Sequence, residues 1–152
     1  MKIIVQRVSK ASVSVSSEKF SSIGPGLVLL VGISVKDSPK DIQYTVNKII
    51  NLRLFSSTKG HFDISVKDAN YEILIVSQFT LYADTKKGRR PSFTEAASPE
   101  KASDIFNQLI NAFEQTGLVI KTGKFQSHMM IELINDGPVT IVIDSEDISN
   151  NH

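Results

Sequence analysis

The longest apolar run in the sequence is Leu27-Val28-Leu29-Leu30-Val31-Gly32-Ile33, which follows the turn signal Gly24-Pro25-Gly26. A membrane span needs about 20 apolar residues, so this run is too short to be one. A short apolar run that begins at a turn is typical of a strand buried on both faces of a sheet. We therefore expect a fully buried strand here.

The flanking sequence predicts two helices among six or seven strands. Ser38-Pro39 and Ser98-Pro99 each place a capping serine before a proline at the first helical position, and apolar residues follow at helical spacing. The order of elements predicts an α+β fold, with two main helices packed on a largely antiparallel or mixed sheet. Ser145 to His152 is expected to be a frayed polar tail. The other predicted strands are Ile3–Val8, Ala11–Val15, Glu72–Val76, Leu118–Lys121, Met129–Ile134 and Val139–Ile143.

Composition indicates one soluble domain and excludes several classes of protein. The 152 residues are 41% hydrophobic and 22% charged, which is typical of a folded chain rather than a disordered one. The lack of cysteine excludes disulfides and thiolate chemistry. Together with an N-terminus that lacks a secretory pattern, it favours the cytoplasm. His61, His128 and His152 lack metal-ligand spacing, so we expect no metal, and the first two are interpreted as surface or structural groups.

The most basic segment is Lys86-Lys87-Gly88-Arg89-Arg90. Four cations within five residues favour a loop that contacts phosphates. An ordinary solvated surface loop would have the same composition, and charge alone leaves both interpretations open. The segment from Phe125 to His152 has five acids and no base, so all the basic residues lie earlier in the chain.

Two polar segments mark candidate functional positions. Ser77, Gln78 and Thr80 follow the strand Glu72–Val76, and loops after strands often carry binding groups. Capping hydroxyls at an ordinary strand end would give the same pattern. The second segment, Asn135 to Thr140, lies between two apolar strands and is first interpreted as a turn. No nucleophile elbow, phosphate-binding P-loop or dinucleotide fingerprint is present.

Taken as a pair, the two segments resemble the D-aminoacyl-tRNA deacylase family, and the resemblance runs from Met1 to about Asp144. It implies a single domain over residues 1–145 with a polar tail at 146–152. It also implies a barrel-like sheet and a homodimer with its active site at the subunit interface. The motifs are Val76-Ser77-Gln78-Phe79-Thr80-Leu81, Lys87-Gly88-Arg89-Arg90-Pro91-Ser92-Phe93 and Asn135-Asp136-Gly137-Pro138-Val139-Thr140.

The resemblance implies a chiral proofreading hydrolase. Its substrate is the ester between a D-amino acid and the 3′ end of tRNA, and it also removes glycine wrongly attached to alanine tRNA. It requires no cofactor and no membrane. The residues that correspond to the pocket for the aminoacyl group and terminal adenosine are Ser77, Gln78, Phe79, Thr80, Phe125 and Met129. Where the family usually has Phe-Gly-Ala, this chain has Phe125-Gln126-Ser127.

The implied chiral filter is a cis dipeptide, Gly137-Pro138, that reaches into the partner subunit's pocket and is held by Arg7. Rejection of the common L-isomer needs a built-in clash, because attraction alone discriminates weakly. We expect the two carbonyls of the dipeptide to bind the substrate ammonium and to crowd an L-side chain. A D-side chain would point away, and glycine would pass the same filter.

Two routes for the chemistry remain open. Thr80 is the candidate catalytic nucleophile, but no base lies beside it in the sequence. In the second route, which we favour, the ribose 2′-hydroxyl of the substrate helps to activate water. The backbone N–H groups near Phe79 and Thr80 then stabilise the oxyanion.

Two other functions compete with that of a tRNA-directed esterase. One is a non-catalytic nucleic-acid-binding module, which would explain the basic loop but not the paired polar motifs. The other is a small-molecule hydrolase, which would leave the basic loop without a role. If the esterase interpretation holds, the expected tRNA phosphate contacts are Lys86, Lys87, Arg89 and Arg90.

Overall fold

The protein is represented by a computed structural model, which describes residues 1–150 and, of their side chains, those of residues 1–147. Within this part of the chain there are eight strands, three α-helices and two 3-10 helices. The 3-10 helices span Phe79–Tyr82 and Ser145–Asn150. The helices are α1 (Pro39–Asn51), α2 (Val66–Ala69) and α3 (Pro99–Glu114). The strands are β1 (Lys2–Val15), β2 (Glu18–Ile23), β3 (Gly26–Gly32), β4 (Arg53–Ser57), β5 (Gly60–Ser65), β6 (Glu72–Ser77), β7 (Ile120–Thr122) and β8 (Met130–Asp144).

The predicted buried strand, now β3, lies in the middle of the main sheet. Six of its seven residues are buried, as the apolar run predicts. It pairs antiparallel with β1 and parallel with β6, which in turn pairs parallel with β7. β1 also pairs with β2 and β8. The result is a mixed, nearly closed, barrel-like sheet of six strands, and the predicted α+β fold class is confirmed.

The four strands predicted near the chain ends are in fact two long ones. Ile3–Val8 and Ala11–Val15 merge into β1, and the last two merge into β8. Gln6 pairs with Thr140 and Val8 pairs with Asn135. Between these two pairs, β8 therefore has four residues, 136–139, where β1 has only Arg7. This segment is a bulge within one strand, and its interpretation as a turn is wrong. Pairing resumes beyond it because β1 offers partners on both sides of the bulge.

Helices α1 and α3 begin at the two predicted Ser-Pro signals. The Asp41 carboxylate accepts hydrogen bonds from the backbone N–H and the hydroxyl of Ser38, at 2.9 and 2.8 Å. The Ser98 hydroxyl accepts from the N–H of Lys101 at 3.4 Å. The apolar faces of both helices are buried in one core with β3 and β6. None of the described helices combines the length and apolarity that crossing a membrane requires.

The start and the end of the barrel are joined by a buried polar cluster. The N-terminal ammonium of Met1 lies 2.5 Å from Asp37 Oδ1 and donates to Ser145 Oγ at 2.7 Å. The Ser145 hydroxyl donates to Asp41 at 2.6 Å. Ser145 is buried, so it does not belong to a frayed tail as expected, and a 3-10 helix continues to Asn150. Residues 151–152 of that expected tail lie outside the described residues.

Several elements were not predicted at all. They are β2, the β4–β5 hairpin, helix α2 and the 3-10 helix Phe79–Tyr82. Each is short and polar or mixed in sequence, so its apolar periodicity is weak. The hairpin is a separate two-stranded sheet, and the carbonyl of Leu54 on β4 accepts a hydrogen bond from Arg7.

Candidate active site

A cavity of about 710 Å³ lies where three parallel strands end. β3, β6 and β7 run in the same direction, so their carboxyl ends meet at one edge, where open α/β sheets commonly bind ligands. Most of the lining residues are apolar, and they come from the ends of β3 and β6, from α3, and from the segments before α3 and after β7. The polar residues on the wall are Ser77, Gln78, Gln126, Ser127 and His128.

The predicted segment Ser77 to Thr80 forms one side of this cavity. Gln78 N–H donates to the carbonyl of Val31 at 2.7 Å, after which the chain turns into the 3-10 helix. The first N–H groups of such a helix have no partner within it. Among the described residues, the N–H groups of Phe79 and Thr80 have none elsewhere. Two backbone donors are therefore available at the cavity edge.

Thr80 lies beside the cavity and is not one of the residues that line it. Thr80 is exposed, and its hydroxyl oxygen accepts a hydrogen bond from the side-chain amide of Gln78. An amide N–H donates a proton and cannot take one. This contact therefore provides no base for a threonine nucleophile.

Phe125 and Met129, which the family resemblance assigns to the substrate pocket, also line this cavity. The Phe125 ring packs against Phe106 at a centroid distance of 5.7 Å, which ties the wall to α3. A Cβ on Gly123 would lie 2.6 Å from Met129 Sδ, so a side chain at this position would require Met129 to shift. Gln126 has a left-handed φ of 57°, at the position where the family usually has glycine.

The basic segment forms a loop closed at its base by Asp84 and Ser92. These two residues exchange backbone hydrogen bonds of 2.7 and 2.9 Å. Just after the loop, the ring of Phe93 packs edge-on against Phe79 at 5.0 Å, and both residues line the cavity. The loop therefore starts from the cavity rim. Its four cations, Lys86, Lys87, Arg89 and Arg90, are exposed.

Gly137, Pro138 and Arg7 form a second cluster, and none of them lines the cavity. The Gly137–Pro138 peptide bond is cis, and both residues are exposed. Arg7 Nε donates to the carbonyl of Asp136 at 2.9 Å, and Nη1 donates to the carbonyl of Leu54 at 2.6 Å. Within one chain, the predicted site residues thus fall into two groups.

Tyr82 is the last residue of the 3-10 helix and is buried. Burial raises the pKa of its phenol above the ordinary value, and the nearby carboxylates of Asp37 and Asp144 raise it further. The phenol is therefore protonated at neutral pH and is not available as a base. The ammonium of Lys2 lies 5.0 Å from the ring centroid, so the helix is held by packing and charge.

The sequence predicts only part of the cavity wall, and His128 and Phe93 are among the lining residues that it missed. His128 was interpreted as a surface or structural group, yet it lies on the wall between Phe125 and Met129. Its position between two predicted pocket residues was the available signal. Phe93 was part of a motif but was not assigned to the pocket. Among the described residues, no group of three or more His, Asp or Glu side chains is arranged to hold a metal ion.

The sequence is similar over nearly its whole length to D-aminoacyl-tRNA deacylases. The family model described as D-Tyr-tRNA(Tyr) deacylase matches residues 4–144. A D-aminoacyl-tRNA deacylase of Dehalococcoides mccartyi is 53% identical over 150 residues, covering 99% of this chain and 98% of the relative. A protein of the same name from Thermotoga petrophila is 45% identical over 145 residues, covering 95% and 97%.

Solved structures share the fold. One, described as c-Myc DNA Unwinding Element Binding Protein, superposes with a TM-score of 0.89 at 44% identity, covering 95% of this chain and 98% of that one. Another, described as a probable eukaryotic D-amino acid tRNA deacylase, gives a TM-score of 0.82 at 15% identity, covering 93% and 97%. At that identity the second likeness concerns the fold alone.

Proposed function

This chain belongs to the D-Tyr-tRNA(Tyr) deacylase family, and from that membership we propose that it proofreads aminoacyl-tRNA in the cytoplasm. It is a hydrolase that acts on ester bonds and releases a free D-amino acid and tRNA. One observation carries the assignment of the site: Ser77, Gln78 and Phe79 line a cavity from whose rim the basic loop starts.

The cavity suits the acylated end of a tRNA. Its volume of about 710 Å³ falls within the roughly 300–1,000 Å³ that small-ligand sites occupy. The walls are mostly apolar and include Phe125 and Met129, and Ser77 and Gln78 are among the polar residues of the lining. We assign the apolar walls to the terminal adenosine and aminoacyl group, and the polar edge to the ester.

The basic loop provides the contact with the rest of the tRNA. Its four cations are exposed on a segment whose base is closed by Asp84 and Ser92. Phosphates are attracted to such a cluster without sequence preference. Because the loop starts at the cavity rim, it holds the acceptor strand while the 3′ end enters the cavity.

The active protein is proposed to be a homodimer. Gly137 and Pro138 are exposed and absent from the cavity of their own chain, so a second copy is needed to bring them to a pocket. An apolar contact surface is available on β8, whose described pairing is with β1. Its large exposed apolar residues are Met130, Ile134 and Val142, and we assign them to the dimer contact because exposed apolar groups gain free energy when a second copy covers them.

In the dimer, the carbonyls of Gly137 and Pro138 act as the chiral filter. They accept hydrogen bonds from the substrate ammonium and occupy the space that an L-side chain would need. Selection therefore depends on the main chain, and many D-side chains are accepted. Glycine has no side chain to clash, so glycine on alanine tRNA is removed as well.

Ester hydrolysis needs a nucleophile, an oxyanion site and a proton for the leaving oxygen. Water attacks the carbonyl carbon, the bond from that carbon to the ribose 3′ oxygen breaks, and the 3′ oxygen takes up a proton. The neighbouring 2′-hydroxyl is already held beside the ester, which is an entropic advantage in activating the water. The free N–H groups of Phe79 and Thr80 donate hydrogen bonds to the oxyanion that forms on the attacked carbonyl.

Nucleic-acid binding without catalysis is the second candidate function. The exposed basic loop supports it, as does the 44% identical structure described as a DNA unwinding element binding protein. Binding alone leaves the cavity and its free N–H donors without a role, so we favour catalysis.

One assay separates these functions. The protein is incubated with D-tyrosyl-tRNA, L-tyrosyl-tRNA, glycyl-tRNA(Ala) and the methyl ester of D-tyrosine. We expect hydrolysis of the first and third only. Binding of tRNA without hydrolysis would identify a nucleic-acid-binding module, and equal rates on the methyl ester would identify a small-molecule hydrolase. Equal rates on the two tyrosyl-tRNAs would disprove the filter.

A further inference from the structure

Phe62 lies in a bulge of the β4–β5 hairpin. Phe55 pairs with Ile64 and Ser57 pairs with Gly60, so a longer stretch of β5 faces a shorter stretch of β4. Phe62 has a φ of 53°, a left-handed conformation that is an outlier for a bulky residue. Bulges re-aim side chains and are common next to active sites.

The side chain of Phe62 is directed at Arg7 and not at the core. It is 54% exposed, so the hydrophobic effect gains little from its placement. The guanidinium carbon of Arg7 lies 5.8 Å from the ring centroid, within the roughly 6 Å reach of a cation–π interaction. The strained backbone is thus combined with one specific contact.

Arg7 connects the hairpin to the dipeptide. Besides the Phe62 ring, it contacts the carbonyl of Leu54 on β4 at 2.6 Å. Its Nε donates to the carbonyl of Asp136 at 2.9 Å, and Asp136 immediately precedes Gly137. The Arg7 side chain is 14% exposed, so its conformation is set by these neighbours.

We infer that Phe62 is a positioning residue for chiral selection. Its ring holds the guanidinium of Arg7, and Arg7 holds the carbonyl of Asp136, which sets the position of Gly137-Pro138. The inference rests on the proposed filter function. It assigns to the hairpin a role in selectivity, which neither the pocket nor the basic loop provides.

The test compares Phe62→Ala with the parent by the ratio of hydrolysis rates on D-tyrosyl-tRNA and L-tyrosyl-tRNA. We expect this ratio to fall about two- to fivefold, as for removal of a partly exposed cation–π interaction. Phe62→Tyr keeps an aromatic face and should restore the parent ratio, whereas Phe62→Leu should not. Phe20→Ala removes an aromatic residue of similar exposure, 50%, on β2 and should leave the ratio unchanged.

A second readout does not depend on activity. The hydrogen-exchange rate of the Arg7 Nε–H, measured by NMR, reports its bond to the Asp136 carbonyl. We expect Phe62→Ala to accelerate this exchange about two- to fivefold. An unchanged exchange rate together with an unchanged selectivity ratio would overturn the inference. An equal fall of both hydrolysis rates with unchanged exchange would also overturn it, because Phe62 would then contact the substrate directly.

Gly137→Ala separates failure of this inference from failure of the proposed function. If Gly137→Ala keeps the parent selectivity ratio, the filter itself is wrong, and the Arg7 exchange rate still decides whether Phe62 holds Arg7. If Gly137→Ala lowers the ratio and Phe62→Ala changes neither readout, the filter stands and the role of Phe62 is disproved.

Discussion

The side-chain amide of Gln78 donates a hydrogen bond to the hydroxyl oxygen of Thr80. The two residues are neighbours across the first turn of the 3-10 helix Phe79–Tyr82. The bond orients the Thr80 hydroxyl without offering it a base, since an amide N–H cannot accept a proton. It therefore favours a role for Thr80 in shaping the cavity edge over a role as nucleophile.

Thr80→Ala should reduce deacylation of D-tyrosyl-tRNA by about tenfold or less, the effect of removing one hydrogen bond. A substrate with a 2′-deoxy terminal adenosine should bind but react far more slowly, because the group that helps to activate water is missing. Single-turnover rates on both substrates measure this, with Thr58→Ala as the control. Isolation of an acyl-enzyme at Thr80, or a full rate on the 2′-deoxy substrate, would contradict the assignment.

Gly137→Ala should weaken rejection of L-tyrosyl-tRNA. A Cβ at this position would lie 2.8 Å from Val139 Cγ2 and 2.9 Å from Arg7 Nη2. The φ of 136° is also one that residues other than glycine rarely adopt. The dipeptide must therefore move. Rates on L- and D-tyrosyl-tRNA measure the effect, and a parent-like ratio in the folded variant would exclude the dipeptide as the filter.

Replacement of the four cations of the basic loop by Gln should raise KM for tRNA and flatten its salt dependence. The slope of log affinity against log salt should change by roughly 0.7–0.9 for each phosphate that the loop no longer neutralises. Binding measured at several salt concentrations would show this. An unchanged slope would mean that the loop is an ordinary solvated surface. The matched control replaces exposed lysines outside the loop: Lys19, Lys40, Lys48 and Lys67.

Asp41 should contribute stability that disappears in acid. Burial alone would raise its pKa, but hydrogen bonds from Ser145 and Ser38 hold the pKa below the ordinary value of 3.8. A carboxyl with a lowered folded-state pKa stabilises the fold above its unfolded-state pKa and loses that effect as the pH falls through the folded-state pKa.

The measurement is urea unfolding of the parent and Asp41→Asn across a pH series. The variant should be less stable at neutral pH, and the difference should shrink as the pH falls below about 4. Asp104→Asn, on the exposed face of α3, should show a smaller difference. A gap between parent and Asp41→Asn that is constant with pH would show that the carboxylate charge has no part in it.

Gln126→Gly should stabilise the protein. Gln126 has a φ of 57°, and the left-handed conformation costs a side-chain-bearing residue about 1–2 kcal/mol. Glycine loses more conformational entropy on folding, which offsets part of this relief. We therefore expect the free energy of unfolding to rise by about 0.5–1 kcal/mol. Thermal or urea unfolding measures it. Gln115→Gly, at a φ of −65°, should instead destabilise, and equal effects of the two changes would disprove the strain.

The sequence by itself determined the elements whose signals are local. The apolar run of β3 and the Ser-Pro starts of α1 and α3 act within one turn or one strand. The residue types that capping and burial require therefore lie next to one another in the sequence. The segments Ser77 to Thr80 and Asn135 to Thr140 were equally readable, and as a pair they indicated the family to which this chain belongs.

Only the tertiary structure decided which distant groups meet. Arg7 contacts residues 47 and 129 positions away in sequence, and no local pattern encodes such a contact. The merging of two predicted strands into β8, with a bulge facing Arg7, depends on pairing with β1. The direction of the Phe62 side chain depends on a bulge that the register of the hairpin sets. His128 lies on the cavity wall, in the segment that follows β7, and β7 is placed by its pairing with β6. Long-range pairing and packing set these relationships, so they became visible only in the folded chain.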